Sequence, residues 1–171
     1  MIEFAFVAGP FVALTIGIIE LGLAYWATTL LDTATQETAR QIRTGELQQA
    51  AAAEGEEATA EELFRDAVCD AMDGLLACDS ANDNFYFDVR NYPGFGDVNM
   101  SPPETEAESG AILTTFNPGS ENEVILVRTY YRWDVVTPGM KYLMSNHVDA
   151  TGRLVLESTV AFRNEPFPSI E

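Results

Sequence analysis

Two cysteines are the residues in this sequence whose spacing most directly allows a covalent bond. Cys69 and Cys78 are the only cysteines, and nine positions separate them. In a chain with an export-like N-terminus, an even pair predicts a disulfide formed outside the cytoplasm. Unpaired structural thiols and a metal site are the alternatives, although a metal would want further ligands nearby and His147 is the only histidine. We favour the disulfide.

That disulfide would restrict the secondary structure around it. Nine steps of continuous helix would place the two cysteine Cα atoms roughly 13.5 Å apart, whereas bridged cysteines need Cα atoms about 4.4 to 6.8 Å apart. A helix carrying Cys69 must therefore end before Cys78, and Gly74 is the obvious place. Closing this loop is expected to contribute roughly 2 to 3 kcal/mol.

Two carboxylates lie within an otherwise apolar N-terminal stretch. Glu3 and Glu20 flank sixteen uncharged residues, Phe4 to Ile19. A carboxylate in such a segment is costly in lipid, so each must be compensated by a partner or by position. Glu20 lies about 25 Å further along a helix than Glu3. It is expected either at the opposite membrane interface or bonded to a partner helix.

The remaining polar residues do not form a recognisable catalytic or metal-binding set. His147 lacks the context of a catalytic base, the serines lack a nucleophile-elbow pattern, and the loop acids are typical of a solvated surface; these residues are Ser109, Ser145, Glu104, Glu106 and Glu108. The stretch 79–84 has the composition of a calcium loop, but Ala81 occupies a ligand position in EF-hand spacing. We expect no enzymatic activity, no cofactor and no metal site.

The charge limits the classes of partner. The formal net charge is −18, and of the acidic residues only Glu3 and Glu20 precede Asp32, while all nine basic residues follow it. Such a surface repels nucleic acid and anionic lipid headgroups, so neither is expected as a primary partner. Solubility in a salty or extracellular medium is the simplest explanation of the charge.

The N-terminal stretch predicts a retained hydrophobic helix, which we assign to residues 1–31. It lacks the basic region and small-residue cleavage site of a signal peptide. From Ile2 to Leu31 it would extend roughly 43 Å, enough to cross a hydrocarbon core of ~30 Å. Tyr25 and Trp26 lie near its far end, where amphipathic rings favour a membrane interface.

Glycine and proline mark special positions in this helix. Gly9 and Pro10 predict a kink or a locally unwound segment, because proline removes a helical hydrogen bond. Gly17 and Gly22 bracket Glu20 and would allow a neighbouring helix to approach closely.

Residues 32–171 predict an exported globular domain. Residues 32–53 continue as an amphipathic helix, with Gly45 as a stop or a weak point, and the sequence leaves open whether 48–60 is helix or loop. A second helix is expected from Ala60 to about Leu76, with Thr59 as its cap.

Strand patterns follow Cys78. Alternating and β-branched runs predict three strands and a weaker fourth; these are Phe85 to Arg90, Glu123 to Trp133, Leu154 to Phe162 and, weakest, Ala111 to Phe116. The expected fold is α+β: a long N-terminal helix, then a small disulfide-containing domain with an antiparallel sheet of three or four strands packed on the second half of that helix.

Several segments together resemble TadE-like pseudopilins of the tight adherence (Tad, type IVc) pilus system. The N-terminal segment carries the Glu3–Phe4 pair, a proline a few residues on, and a Gly-Ile-Ile-Glu-Leu-Gly stretch. Four later segments are also similar to the family: TQETARQIRTG, FRDAVCDAMDGLLAC, EVILVRTYYRW followed by Thr-Pro, and FRNEPF. In family precursors a basic leader ending in glycine is cut by a prepilin peptidase, and the glutamate is typically fifth in the mature chain, whereas here it is third.

The resemblance implies a structural role in a filament. It implies a pilin-like subunit held in the bacterial inner membrane, with its domain in the periplasm, and then built into an extracellular pilus. The partners implied are sister pilins or further copies, the prepilin peptidase, a platform protein and an assembly ATPase.

In such a filament, the N-terminal helices pack side by side. Glu3 would pair with the α-amino group of an adjacent subunit, and its alternative is a plain interfacial position at the headgroups. The assembly residues expected are Glu3, Phe4, Gly9, Pro10, Gly17, Glu20 and Gly22. The alternative function is a single-pass membrane protein whose exported domain binds a partner and never polymerises.

Overall fold

A computed structural model of the chain describes residues 2–54, 59–72, 76–78, 84–101, 113–137, 148–149 and 152–167. The side chains of residues 2, 3, 5 and 54 are outside this description. Several sequence-predicted features also lie outside the described residues; these are Gly74, His147, the acids at 104–108, the serines at 109 and 145, and most of the stretch 79–84.

Three helices precede the sheet. Helix α1 runs from Ile2 to Thr44, α2 from Glu46 to Glu54 and α3 from Ala60 to Ala71. Gly45 separates α1 from α2 at φ +77°, and a Cβ there would lie 2.5 Å from the ring of Phe167. Only glycine fits this position without strain or a clash. The open question about residues 48–54 is thus answered as helix.

Two details of the helices differ from the sequence-based expectation. No unwound segment occurs at Gly9–Pro10, because α1 is one helix that includes Pro10. Helix α3 ends at Ala71 instead of Leu76. Its predicted cap is confirmed: the Thr59 hydroxyl accepts from the Glu62 amide, and the Glu62 carboxylate accepts from the Thr59 amide, which together satisfy two otherwise unpaired donors.

A three-stranded antiparallel sheet follows in the order β1-β2-β3, with β1 at Phe85–Tyr92, β2 at Val124–Trp133 and β3 at Leu154–Arg163. The weak fourth strand is not formed among residues 113–116, where Phe116 makes only an isolated bridge with Val89. A short 3₁₀ helix, Phe95–Asp97, follows β1.

The core lies between the second half of α1, helix α3 and one face of the sheet, as expected. Fully buried side chains come from all three, including Leu31 and Ile42 of α1, Phe64 of α3, and Ile125 of β2. Across this core the hydroxyls of Thr35 and Thr129 lie 2.6 Å apart, which satisfies two buried polar groups. The fold class predicted from the sequence is confirmed.

The sheet runs lengthwise along α1 and so has a defined orientation. After β3, the Asn164 amide donates to the Glu123 carbonyl and the Glu165 amide donates to the Arg43 carbonyl. The start of β2 therefore lies beside the C-terminal end of α1. The end of β2 must then lie towards the apolar half of the helix, where the site begins.

Candidate functional site

The N-terminal half of α1 exposes apolar side chains that the rest of the described structure leaves uncovered. Phe4 and Phe6 are each 78% exposed, and Tyr25 is 77% exposed. Other large exposed residues in this stretch are Val7, Phe11, Val12, Leu14, Ile16, Ile18, Ile19, Leu21, Leu23 and Trp26. We call residues 4–26 the apolar segment. A contiguous apolar surface of this size marks contact with a membrane or with another protein.

One side of the helix is nevertheless covered by the rest of the chain. Buried positions recur at three- to four-residue steps and form a single stripe: Gly17, Glu20, Ala24, Ala27 and Leu31. This spacing puts them on one helix face. The globular domain thus reaches down α1 as far as residue 17 on one side, while the opposite side stays exposed as far as Trp26.

Glu20 has a specific set of partners. Its side chain is only 9% exposed. One carboxylate oxygen accepts a hydrogen bond from the backbone N–H of Val136, and the other accepts from the N–H of Thr137 at 2.9 Å. Two donors at a carboxylate offset much of the cost of removing it from water.

The loop that supplies these donors is positioned by the sheet. We call residues 134–137, which follow Trp133 at the end of β2, the 134–137 loop. Strand β2 is the central strand and is buried along most of its length, so its end is fixed relative to α1. Val135 packs against the core and Thr137 is buried, whereas Val136 between them is 81% exposed.

Sequence reasoning predicted an interface position or a partner helix for Glu20, and it missed this contact within the chain. The Glu20–Val136 bond joins residues 116 positions apart. Backbone amides carry no sequence signature, so no pattern could have indicated them.

Among the described residues, the structure places the other sequence-predicted assembly residues along α1. Glu3, Phe4, Gly9 and Pro10 lie in its first turns, with the Glu3 side chain outside the description. At Gly9 and Gly22 an added Cβ would meet nothing within 4 Å. A neighbouring helix therefore has room to approach at both glycines, and their role in assembly stays a prediction.

Residues 1–40 match the family model of TadE-like proteins. The match covers the apolar segment, Glu3, Glu20 and the start of the amphipathic part of α1. It confirms the resemblance seen in the N-terminal motif. No curated protein and no solved structure matches the chain. The similarities noted beyond residue 40 stay predictions.

The TadE-like segment associates the chain with the Tad pilus. The family of TadE-like proteins is structural and non-enzymatic. The matched segment overlaps the part of α1 from Phe6 to Thr44. Among the described residues, this is the one helical stretch that is long and apolar enough to cross a membrane. The two observations together support membrane anchoring through α1. Among the described residues, no group of three or more His, Cys, Asp or Glu side chains could hold a metal ion.

The disulfide belongs to the domain, outside the matched residues 1–40. Cys69 and Cys78 are bonded, with Cα atoms 5.4 Å apart. Cys69 lies on α3, and the helix ends two residues later, as the bond requires. The Tyr131 hydroxyl donates to the Ala77 carbonyl at 3.4 Å, which links the cysteine loop to β2. The bond therefore holds α3 and its following turn together against the sheet.

Proposed function

We propose that this protein is a structural subunit of a Tad-type adhesive pilus that assembles through its N-terminal helix. The observation that carries the proposal is the one-sided packing of α1 in the part that matches TadE-like proteins. Its domain is built against one stripe, while the apolar segment is left exposed on its other sides. A helix of this kind can be covered first by lipid and later by the helices of sister subunits.

In this proposal the subunit passes through successive stages as the helix moves from lipid to the helices of sister subunits. The subunit is held in the inner membrane with its domain in the periplasm, and a prepilin peptidase processes its N-terminus. An assembly ATPase and a platform protein then move it from the bilayer into an extracellular filament. The acidic domain, with most of the chain's charge of −18, faces the aqueous medium, where its charge supports solubility.

Glu3 would act in the filament core. In a water-poor bundle of helices its carboxylate would pair with the α-amino group of an adjacent subunit. An unpaired carboxylate there is strongly unfavourable, so the pairing would fix the axial register between neighbours. The exposed glycines Gly9 and Gly22 would let the helices approach closely.

The deciding experiment is to look for the chain in surface fibres. Fibres sheared from cells are imaged by electron microscopy, and their subunits are identified by mass spectrometry and N-terminal sequencing. We expect this chain in the fibres, and we expect cells lacking it to show fewer fibres or none. Normal fibres in the deletion strain, with the chain recovered only from membranes as a monomer, would instead establish a single-pass membrane protein that binds a partner.

A further inference from the structure

The outer end of the apolar segment is asymmetric around the helix axis. On the domain side, burial begins at Gly17 and Glu20, whereas on the opposite side Tyr25 and Trp26 remain 77% and 54% exposed. Residues 4–26 span roughly 33 Å of helix and residues 4–19 only about 23 Å. The longer span is the one that matches a hydrocarbon core of ~30 Å.

A bilayer that covers the longer span also reaches the domain. With residue 4 at the inner boundary, the outer boundary of the hydrocarbon falls near Leu23. Glu20 then lies within about one helical turn of that boundary. The part of the domain at the same level is the 134–137 loop, because its amides bond the Glu20 carboxylate.

The loop exposes one large apolar side chain, Val136, and one carboxylate, Asp134, at the end nearer β2. Val136 is 81% exposed although its own amide is bonded to Glu20. The neighbouring groove between α1 and β3 is lined mainly by apolar residues, among them Leu21, Ala24, Leu154 and Leu156, and it also contains Thr28 and Glu157. The apolar surface of the helix therefore continues onto the domain on this side.

We propose that the 134–137 loop is a membrane-contacting element, with Val136 seated in the bilayer interface beside the outer end of α1. This inference rests on the membrane-held stage of the proposed function. The pairing of Glu20 with two loop amides suits this depth, because polar groups that lose water must be satisfied within the protein. The contact is expected with zwitterionic headgroups, since the acidic domain repels anionic ones.

The test measures the depth of single labelled positions in vesicles. The native cysteines are bonded to each other, so a Val136→Cys variant offers one free thiol for an environment-sensitive fluorophore. The full chain is reconstituted into phosphatidylcholine vesicles without brominated lipid, with lipids brominated near the headgroup end of the acyl chains, or with lipids brominated near the chain ends. Mass spectrometry under non-reducing conditions verifies that the native disulfide has not exchanged.

Two further single-cysteine variants serve as controls, one for a position inside the bilayer and one for a position outside it. Leu14→Cys labels the middle of the apolar segment, and Glu121→Cys labels an exposed position near the start of β2. That end of the sheet lies beside Arg43, which is roughly 35 Å along the helix from Glu20. We expect the shallow bromine to quench the label at position 136, the deep bromine to quench the label at position 14, and neither to change the label at position 121.

The outcomes separate this inference from the proposed function. Quenching at position 14 without quenching at 136 would overturn the membrane contact while leaving anchoring through α1 intact. Absence of quenching at position 14 would overturn the anchoring and with it both proposals.

Discussion

At the scale of single residues, the pairing of Glu20 shows how an apolar helix keeps a carboxylate. The side chain accepts two backbone hydrogen bonds from the 134–137 loop, so the charge is stabilised by the chain's own domain without a partner subunit. Glu3 differs, since the sequence predicts that its partner comes from another copy. The two carboxylates therefore lead to separable predictions: Glu20 for the fold of the subunit, and Glu3 for its assembly.

We expect Glu20→Ala to destabilise the subunit, because it leaves the amides of Val136 and Thr137 without their acceptor. Thr137 is buried and Val136 is exposed, so only the Thr137 amide would be left buried without a hydrogen-bond acceptor. The free energy of unfolding is therefore expected to fall by about 2 kcal/mol. Urea unfolding in detergent micelles measures it, and faster hydrogen exchange at the two amides locates it. Glu20→Gln is the comparison variant: it keeps one acceptor oxygen for two donors, so it should protect only one of the two amides; equal exchange rates in all three proteins would contradict the pairing.

For Glu3→Gln the expected defect is in assembly. Removing one member of a buried ion pair leaves the other charge unpaired, at a cost of about 3 to 5 kcal/mol per contact. The ratio of sheared fibre to membrane-held subunit, measured by immunoblot, should fall sharply while the subunit still folds. Glu37→Gln removes an exposed acid from the same helix and should leave the ratio unchanged. A normal ratio in Glu3→Gln would place this carboxylate at the headgroups.

At the scale of elements, α1 serves two kinds of packing at once. Its second half is buried against α3 and the sheet, and its first half is exposed except along the stripe that begins at Gly17. If the protein assembles as proposed, a residue on the exposed side should have little effect on folding but a large effect on contact between subunits. Gly22 is such a position, because its surroundings are open.

Substitution of Gly22 by leucine tests this division. Leucine has the higher helix propensity, and a Cβ at this position meets nothing within 4 Å, so folding should be retained or slightly improved. The larger side chain should keep neighbouring helices apart and reduce fibre yield. Val12→Leu, at a position that is already bulky and 51% exposed, is the control and should assemble normally. Wild-type fibre yield in Gly22→Leu would exclude close helix approach at this point.

At the scale of the whole molecule, the central strand couples the apolar and acidic parts. Strand β2 packs its inner face on α1, and its end leads into the 134–137 loop. It also contains two tyrosines with perturbed acidity. Burial, reinforced by the nearby Glu157 carboxylate, raises the pKa of Tyr130 to about 12, and burial also raises the pKa of Tyr131.

These shifts predict a loss of stability in alkali. A tyrosine whose pKa is higher when folded than when unfolded stabilises the fold fully below its unfolded pKa of about 10 and loses that contribution as the pH rises towards about 12. Urea unfolding in detergent micelles at a series of pH values should therefore show stability falling through this window. Tyr130→Phe removes one titrating group and should make the fall shallower; an unchanged slope would show that Tyr130 does not contribute.

The sequence by itself determined the features that depend on local pattern or on composition. These are the long apolar helix, the Thr59 cap, the disulfide, three of the strands and the TadE-like character of the N-terminal segment. They could be predicted because periodicity, capping residues and cysteine spacing depend on residues that are close together in the sequence. The sequence also predicted a kink or a locally unwound segment at Pro10 and a weak fourth strand; the helix is not unwound at Pro10, and no strand forms among residues 113–116.

Only the tertiary structure decided which side of α1 the domain covers and what compensates Glu20. The partners of that carboxylate are main-chain N–H groups more than a hundred residues away. Every residue except proline has such a group, so nothing in the letters of the sequence marks the two that matter. Their position is set by the packing of β2 on the helix, which is a property of the folded chain as a whole.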